Sequence, residues 1–210
     1  MKKYKNFIFD LDGTLIDSTP SHIEAFHIAI NSTSRANVSS FNYEVMKGKR
    51  TIDVMKELGF SEEESLRLTK IKQDSYRELL NSGKVELFPG VIDCFQHLRE
   101  NDCSSFICTG ASRPSVEIIL DKFNLRKYVT DYITGSDVVE AKPNPKILNN
   151  LIEDNKIEKR DCIFIEDSVN GKECGVNAGV DTIIVNNVEL KGENDFNSLL
   201  DFHQALKEVF

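Results

Sequence analysis

The segment Phe7-Ile8-Phe9-Asp10-Leu11-Asp12-Gly13-Thr14 decides how this chain is read. Three apolar residues stop abruptly at a carboxylate. The same grammar recurs twice. Phe106-Ile107-Cys108 runs into Thr109-Gly110, and Ile163-Phe164-Ile165 runs into Glu166-Asp167-Ser168. A short continuous apolar run suits a strand buried on both faces, as in a parallel sheet. Ligands of open α/β sheets lie just beyond the carboxyl ends of the strands. If the three strands are neighbours, Asp10, Asp12, Glu166 and Asp167 crowd one edge. Two carboxylates about 4 Å apart repel by roughly 1–4 kcal/mol, depending on the local dielectric. Such a cluster demands a cation, raised pKa values, or both. Hard oxygen ligands in need of charge neutralisation point to Mg²⁺.

From Phe95 onward, strand and helix signals alternate. Helices are expected over 91–101, 114–123, 145–154, 169–178 and 196–209, and strands over 104–108, 131–133, 162–165 and 182–185. This order predicts an α/β fold, a parallel sheet with helices on both faces. The segment 16–85 differs. Ser61-x-x-Glu64 is a capping box opening a helix to about Leu80, and Ile52, Met55 and Leu58 recur at helical spacing. No strand is expected there. A helical insertion, 16–85, therefore interrupts a core made of 1–15 and 86–210. Glu86-Leu87-Phe88-Pro89-Gly90 reads as the return crossing, and the Ser- and Asn-rich stretch 31–42 as a loop.

The 210 residues are 40% hydrophobic and 29% charged, the composition of an ordinary globular chain. No apolar stretch approaches the 18 residues of a membrane span, and no signal-peptide core follows the basic start. The five cysteines form no C-x-x-C pair. They read as small buried hydrophobes of a cytoplasmic protein. His22 and His27 are five apart, so no histidine metal pair is assigned. The net charge of −8 and sequence pI of about 5.1 argue against nucleic acid or an anionic membrane as partner. A monomer is expected. An anionic substrate would need local cations to reverse the field, which salt screens beyond about 8–10 Å.

Side chains at i and i+2 of extended backbone share a side, so Asp10 and Asp12 could flank one reacting atom. Gly13 permits an unusual turn. This suits covalent phosphoryl transfer: one carboxylate attacks phosphorus and the other handles the leaving-group proton. Asp12 would then need a pKa above the usual value of about 3.9. Thr109-Gly110 precedes a helix announced by Ser112 and Pro114, where backbone N–H groups attract phosphate. Lys142, in Lys142-Pro143-Asn144-Pro145, is a point charge on a stiff loop. Asp167 would be a metal ligand. Glu166 could be a second ligand or act through water, while Asp167 or Ser168 could equally be a helix N-cap.

In this order (Asp-x-Asp-x-Thr, then Thr, then Lys, then an acidic pair) the chain resembles the haloacid dehalogenase-like hydrolases over about 1–190. Asp17-Ser18-x-x-x-His22, Phe88-Pro89-Gly90 and Lys142-Pro143-x-Pro145 look most like the β-phosphoglucomutase and sugar-phosphatase branch. The resemblance implies a Rossmann-like core and a small α-helical cap. It implies Asp10 as the nucleophile that becomes aspartyl-phosphate, and Asp12 as general acid and then base. It implies Mg²⁺ on Asp10, the Asp12 carbonyl and Asp167, and phosphoryl binding by Thr109, Gly110 and Lys142. Lys47-Gly48-Lys49-Arg50-Thr51 is the cap's basic cluster, so Lys47, Arg50 and His22 are expected to meet the rest of the substrate. The expected activity is Mg²⁺-dependent hydrolysis of a small phosphorylated metabolite, a sugar phosphate in particular. The alternative is a phosphoglucomutase-like phosphotransferase. In that branch an arginine follows the glycine by three positions, whereas Arg50 follows Gly48 by two. A dehalogenase usually lacks the second aspartate, and a phospho-receiver carries its acidic pair on the first strand.

Overall fold

The computed structural model describes residues 3–33, 41–47 and 49–210. Along the chain run β1 (Asn6–Phe9), β2 (Ile16–Asp17), α1 (Thr19–Asn31), α2 (Tyr43–Met46), α3 (Thr51–Glu57), α4 (Glu62–Asn81) and β3 (Glu86–Leu87). Then follow α5 (Val91–Glu100), β4 (Ser104–Cys108), α6 (Arg113–Lys122), β5 (Val129–Ile133), α7 (Lys146–Asp154), β6 (Cys162–Glu166), α8 (Val169–Ala178), β7 (Asp181–Ile184) and α9 (Leu199–Leu206). The main sheet has the order β5-β4-β1-β6-β7, with every neighbouring pair parallel. The chain builds outward from β1 to one side and returns to build the other. β1 therefore sits at the switch point where such sheets open a crevice.

The period of two decides what covers each face. Phe7, Phe9, Ile107, Ile163 and Ile165 join one core with Phe95 of α5, Ile119 of α6 and Phe202 of α9. Ile8, Phe106 and Phe164 join the other with Leu148 and Leu151 of α7 and Cys174 of α8. Each fully buried phenylalanine contributes about 1.5–3 kcal/mol. The expected α/β architecture, a parallel sheet with helices on both faces, is present. All five cysteines are free, and four of them are buried.

Helices α1–α4 lie between β2 and β3 and share their own core of Phe26, Ala29, Val54, Met55, Phe60 and Leu68. The capping box at Ser61 forms on both sides: Ser61 Oγ accepts from the Glu64 N–H at 3.2 Å, and Glu64 Oε2 accepts from the Ser61 N–H at 3.1 Å. One element departs from expectation. Ile16–Asp17 pairs antiparallel with Glu86–Leu87, so the chain enters and leaves the helical segment side by side. A two-residue strand is too short to carry a periodicity. Of the expected loop over 31–42, Asn31 closes α1, and 34–40 lie outside the described residues. No described helix is long and apolar enough to cross a membrane.

Candidate active site

Strand register brings the acidic ends together. Phe9 pairs with Ile107 on one side and Ile165 on the other, so the next residue, Asp10, meets the ends of β4 and β6. The Asp10 N–H donates to Ile165 O at 2.9 Å, which holds the turn-off of the backbone in place. Into this gap comes Lys142, its side chain 2% exposed. Its Nζ donates to Asp10 Oδ1 at 2.7 Å, to Glu166 Oε1 at 2.9 Å and to Cys108 O at 2.9 Å. Three acceptors thus satisfy the three ammonium hydrogens.

Glu166 is fully engaged. Besides Lys142 on Oε1, its Oε2 accepts from the Asp167 N–H at 2.7 Å, the Ser168 N–H at 2.8 Å and Ser168 Oγ at 2.9 Å. The carboxylate orients Lys142 and ties down the start of α8. The approach is so close that a Cβ on Gly171 would fall 1.8 Å from Glu166 Cδ. Ser168 also caps α8, accepting from the Gly171 N–H at 3.0 Å.

Asp167 turns the other way. Thr14 Oγ1 donates to its Oδ1 at 3.4 Å, and Lys47, from the helical segment, is ion-paired with Oδ2. Lys47 was expected to meet substrate; here its Nζ lies on this core carboxylate. A second tie crosses nearby, Asn170 Nδ2 to Lys47 O at 2.8 Å. Gly13, at φ 88°, lets Asp167 approach: a Cβ there would sit 2.1 Å from Oδ2.

The charges do not balance. Three buried carboxylates (Asp10, Glu166, Asp167) share two ammonium groups. Burial pushes Asp10 well above the usual carboxylate range against the pull of Lys142, with Glu166 and Asp167 adding to the rise. Burial and the Glu166 charge push Asp167 up to about 7. Lys142 stays charged, since Asp10 and Glu166 outweigh the penalty of burial. Excess negative charge on hard oxygens is the donor set a small divalent cation completes. Among the described residues no three acidic, imidazole or thiol side chains converge as a ready-made metal set. A cation here would rely on Asp10, Asp167 and backbone oxygen.

Asp12 belongs to a second cluster. Its Oδ1 accepts from Tyr76 Oη at 2.8 Å and lies 3.0 Å from His22 Nε2. Lys72 Nζ donates to His22 Nδ1 at 2.7 Å. The rings of His22 and Tyr76 stack with centroids 4.0 Å apart, and Lys72 Nζ lies 4.9 Å from the Tyr76 centroid. Burial alone would raise Asp12, but the His22 charge and the hydrogen bonds from His22, Ser18 and Tyr76 hold it well below the usual range. The elevated pKa expected from sequence is therefore corrected: donors on three sides keep Asp12 ionised in this arrangement. His22 is held below its usual value by burial and by Lys72, and burial brings Lys72 down to about 8.

Thr109, Gly110 and Lys142 reach one cavity of about 220 Å³ with Asp10, Asp12 and Asp167. From the helical segment His22, Lys47 and Arg50 reach it too, so every residue singled out from sequence lines the same space. Thr109 Oγ1 accepts from the Ala111 N–H at 3.1 Å, shaping the turn at the end of β4. Arg50 is bound elsewhere than expected: Nε and Nη2 fork onto Asp53 at 2.7 and 3.0 Å, and Nη1 donates to Val139 O. Sequence reasoning missed Thr69, Lys72 and Tyr76. Their spacing on α4 was available as a signal, but not the direction in which that face points.

The haloacid dehalogenase-like hydrolase family profile matches residues 7–185. The chain belongs to this family. Phosphoglycolate phosphatase 1 of Pseudomonas aeruginosa is 29% identical over 82% of this chain, and phosphorylated carbohydrates phosphatase of Thermotoga maritima is 23% identical over 84% of this chain and 82% of its own length. A haloacid dehalogenase-like hydrolase domain-containing protein of Arabidopsis thaliana is 28% identical over 66% of this chain. The matched stretch spans 66% of the Pseudomonas protein and 44% of the Arabidopsis one. In fold, the chain is similar to β-phosphoglucomutase from Clostridium difficile, with a TM-score of 0.84 at 22% identity, covering 98% of this chain and 96% of that one.

Proposed function

We propose that the chain is a Mg²⁺-dependent phosphatase that hydrolyses a small phosphorylated metabolite, a sugar phosphate in particular, through an aspartyl-phosphate on Asp10. In this proposal 16–85 is the cap and 1–15 with 86–210 the catalytic core. One observation carries it: register gathers Asp10, Lys142 and the Glu166-Asp167 pair at the ends of three adjacent strands, with Asp12 two residues beyond the nucleophile. Asp10, the Asp12 carbonyl and Asp167 would hold the Mg²⁺, which supplies positive charge against the phosphoryl oxygens and the crowded carboxylates. Lys47 would have to leave Asp167 for this.

Asp10 attacks phosphorus and the alcohol departs. Lys142, fixed by Glu166 and Cys108 O, stabilises the charge on the transferring group, with N–H groups of the Thr109-Gly110 turn beside it. The leaving oxygen needs a proton on Asp12. The Lys72–His22–Asp12 chain of hydrogen bonds can deliver one: Lys72 gives a proton to Nδ1 as Nε2 gives one to Asp12, and the charge returns when water is activated. In the second half-reaction ionised Asp12 takes a proton from water, which then cleaves the acyl-phosphate. The engagement of Arg50 by Asp53 favours hydrolysis over a mutase, since a bisphosphate intermediate needs a cation at the far end.

The test is release of inorganic phosphate from a panel of phosphorylated metabolites, with Mg²⁺ and with chelator, beside Asp10→Asn. We expect Asp10→Asn and chelator each to lower turnover by about three orders of magnitude or more. Full turnover in either would sink the proposal.

A further inference from the structure

We propose that the cap wall of the cavity reads a neutral, hydroxyl-bearing tail of the substrate through Thr69 and Gln73, and disfavours a tail with a second anionic group. This rests on the phosphatase function proposed above and narrows its substrate class.

Helix α4 presents Thr69, Lys72, Gln73 and Tyr76 to the cavity, spaced i, i+3, i+4, i+7 along one face. Two of the four already serve the core: Tyr76 bonds Asp12, and Lys72 bonds His22. The other two do not. Thr69 Oγ1 is buried and has no hydrogen-bond partner among the described residues. A buried hydroxyl left unpaired is unfavourable, and native structures tolerate few of them. An incoming hydroxyl would supply the missing partner. Gln73, one turn on, adds an amide with both donor and acceptor capacity. Paired donor and acceptor groups of this kind suit a sugar or polyol rather than an ion.

Two of the cations near this wall, Lys49 and Arg50, point the same way, because each is matched by a carboxylate of the protein. Lys49 Nζ donates to both oxygens of Glu57, at 3.0 and 2.7 Å. Arg50 is held in a two-pronged grip by Asp53, with its remaining nitrogen on Val139 O. A carboxylate or second phosphoryl group on the tail would have to displace Asp53 from the fork or sit beside it uncompensated. Bidentate guanidinium–carboxylate pairs are among the stronger polar contacts, so displacement is disfavoured.

The experiment compares kcat/KM of the full chain with Mg²⁺ for glucose 6-phosphate, ribose 5-phosphate and glycerol 3-phosphate against phosphoglycolate and fructose 1,6-bisphosphate. We expect at least one neutral-tailed ester to exceed both anionic-tailed ones by tenfold or more. Thr69→Val and Gln73→Leu should each lower that ratio by about tenfold, the worth of one hydrogen bond, mainly through KM. Thr69→Ser should restore it, which a purely structural role for Thr69 would not predict. Asp53→Asn should release Arg50 and raise kcat/KM for fructose 1,6-bisphosphate. Wild-type preference for phosphoglycolate or the bisphosphate overturns the inference. So does a ratio that stays within twofold in folded Thr69→Val and Gln73→Leu, with folding checked by thermal melts. Release of phosphate from no ester at all would instead overturn the phosphatase proposal, and this inference with it.

Discussion

Replacing Lys142 by methionine should be among the most damaging single changes to stability, with a pH signature of its own. The side chain is 2% exposed and its ammonium meets Asp10, Glu166 and Cys108 O within 2.9 Å. Methionine keeps the stem's volume but strands two carboxylates and a carbonyl oxygen. Breaking a buried ion pair from one side costs about 3–5 kcal/mol. In a chain of this size 1 kcal/mol moves Tm by about 2–4 °C, so the expected fall is about 6–20 °C. The pH dependence follows from proton linkage. Without Lys142, Asp10 and Glu166 bind protons more tightly folded than unfolded, so the native state holds the extra protons and stability falls as pH rises. The deficit against wild type should be largest near pH 8 and shrink toward pH 5. Thermal melts of both proteins across that range, by circular dichroism and without divalent cations, test this. A loss under about 2 °C at pH 8, or a gap that widens on acidification, would refute the charge accounting.

Three further outcomes follow from the geometry. Tyr76→Phe removes one donor from Asp12; its pKa should rise toward the ordinary range, so the basic limb of kcat/KM, which reports loss of the proton Asp12 gives the leaving group, should move to higher pH. An unmoved limb in a pH–rate profile would contradict the donor role. Gly13→Ala places a Cβ 2.1 Å from Asp167 Oδ2 at φ 88°; backbone strain of about 1–3 kcal/mol should lower Tm, and calorimetric titration should show weakened Mg²⁺ binding, whereas unchanged binding would argue against Asp167 as a ligand. Ser61→Ala deletes half of the capping box on α4; it should cost about 1 kcal/mol by denaturant melts and leave kcat unchanged.

The helical segment differs from the core in how much of it could be read in advance. Core strands announce themselves because each is buried on both faces: Phe7-Ile8-Phe9 has no polar side to hide, and its stop at Asp10 marks the strand end. The Ser61–Glu64 capping box likewise sets the start of α4 by contacts within one turn. Local rules failed at β2, whose two residues pair with Glu86–Leu87 about seventy residues away, and at Arg50, whose charge was visible but whose engagement by Asp53 and Val139 was not.

Residue type and spacing along the chain were enough to mark the acidic strand ends and the helical insertion, because burial on both faces and turn chemistry act over a few neighbouring positions; Thr109 and Lys142 stood out only through the resemblance to the family. Which groups meet was decided only when the chain folded back on itself. Glu166 faces Lys142 because β6 lies beside β1. Asp12 is held ionised because α1 and α4 bring His22 and Tyr76 onto one oxygen. Thr69 points into the cavity because α4 packs against α1. The physical reason is range: propensity, capping and periodicity work within a turn or a strand, while protonation states and hydrogen-bond partners depend on groups tens to hundreds of residues apart and on the water that packing removes.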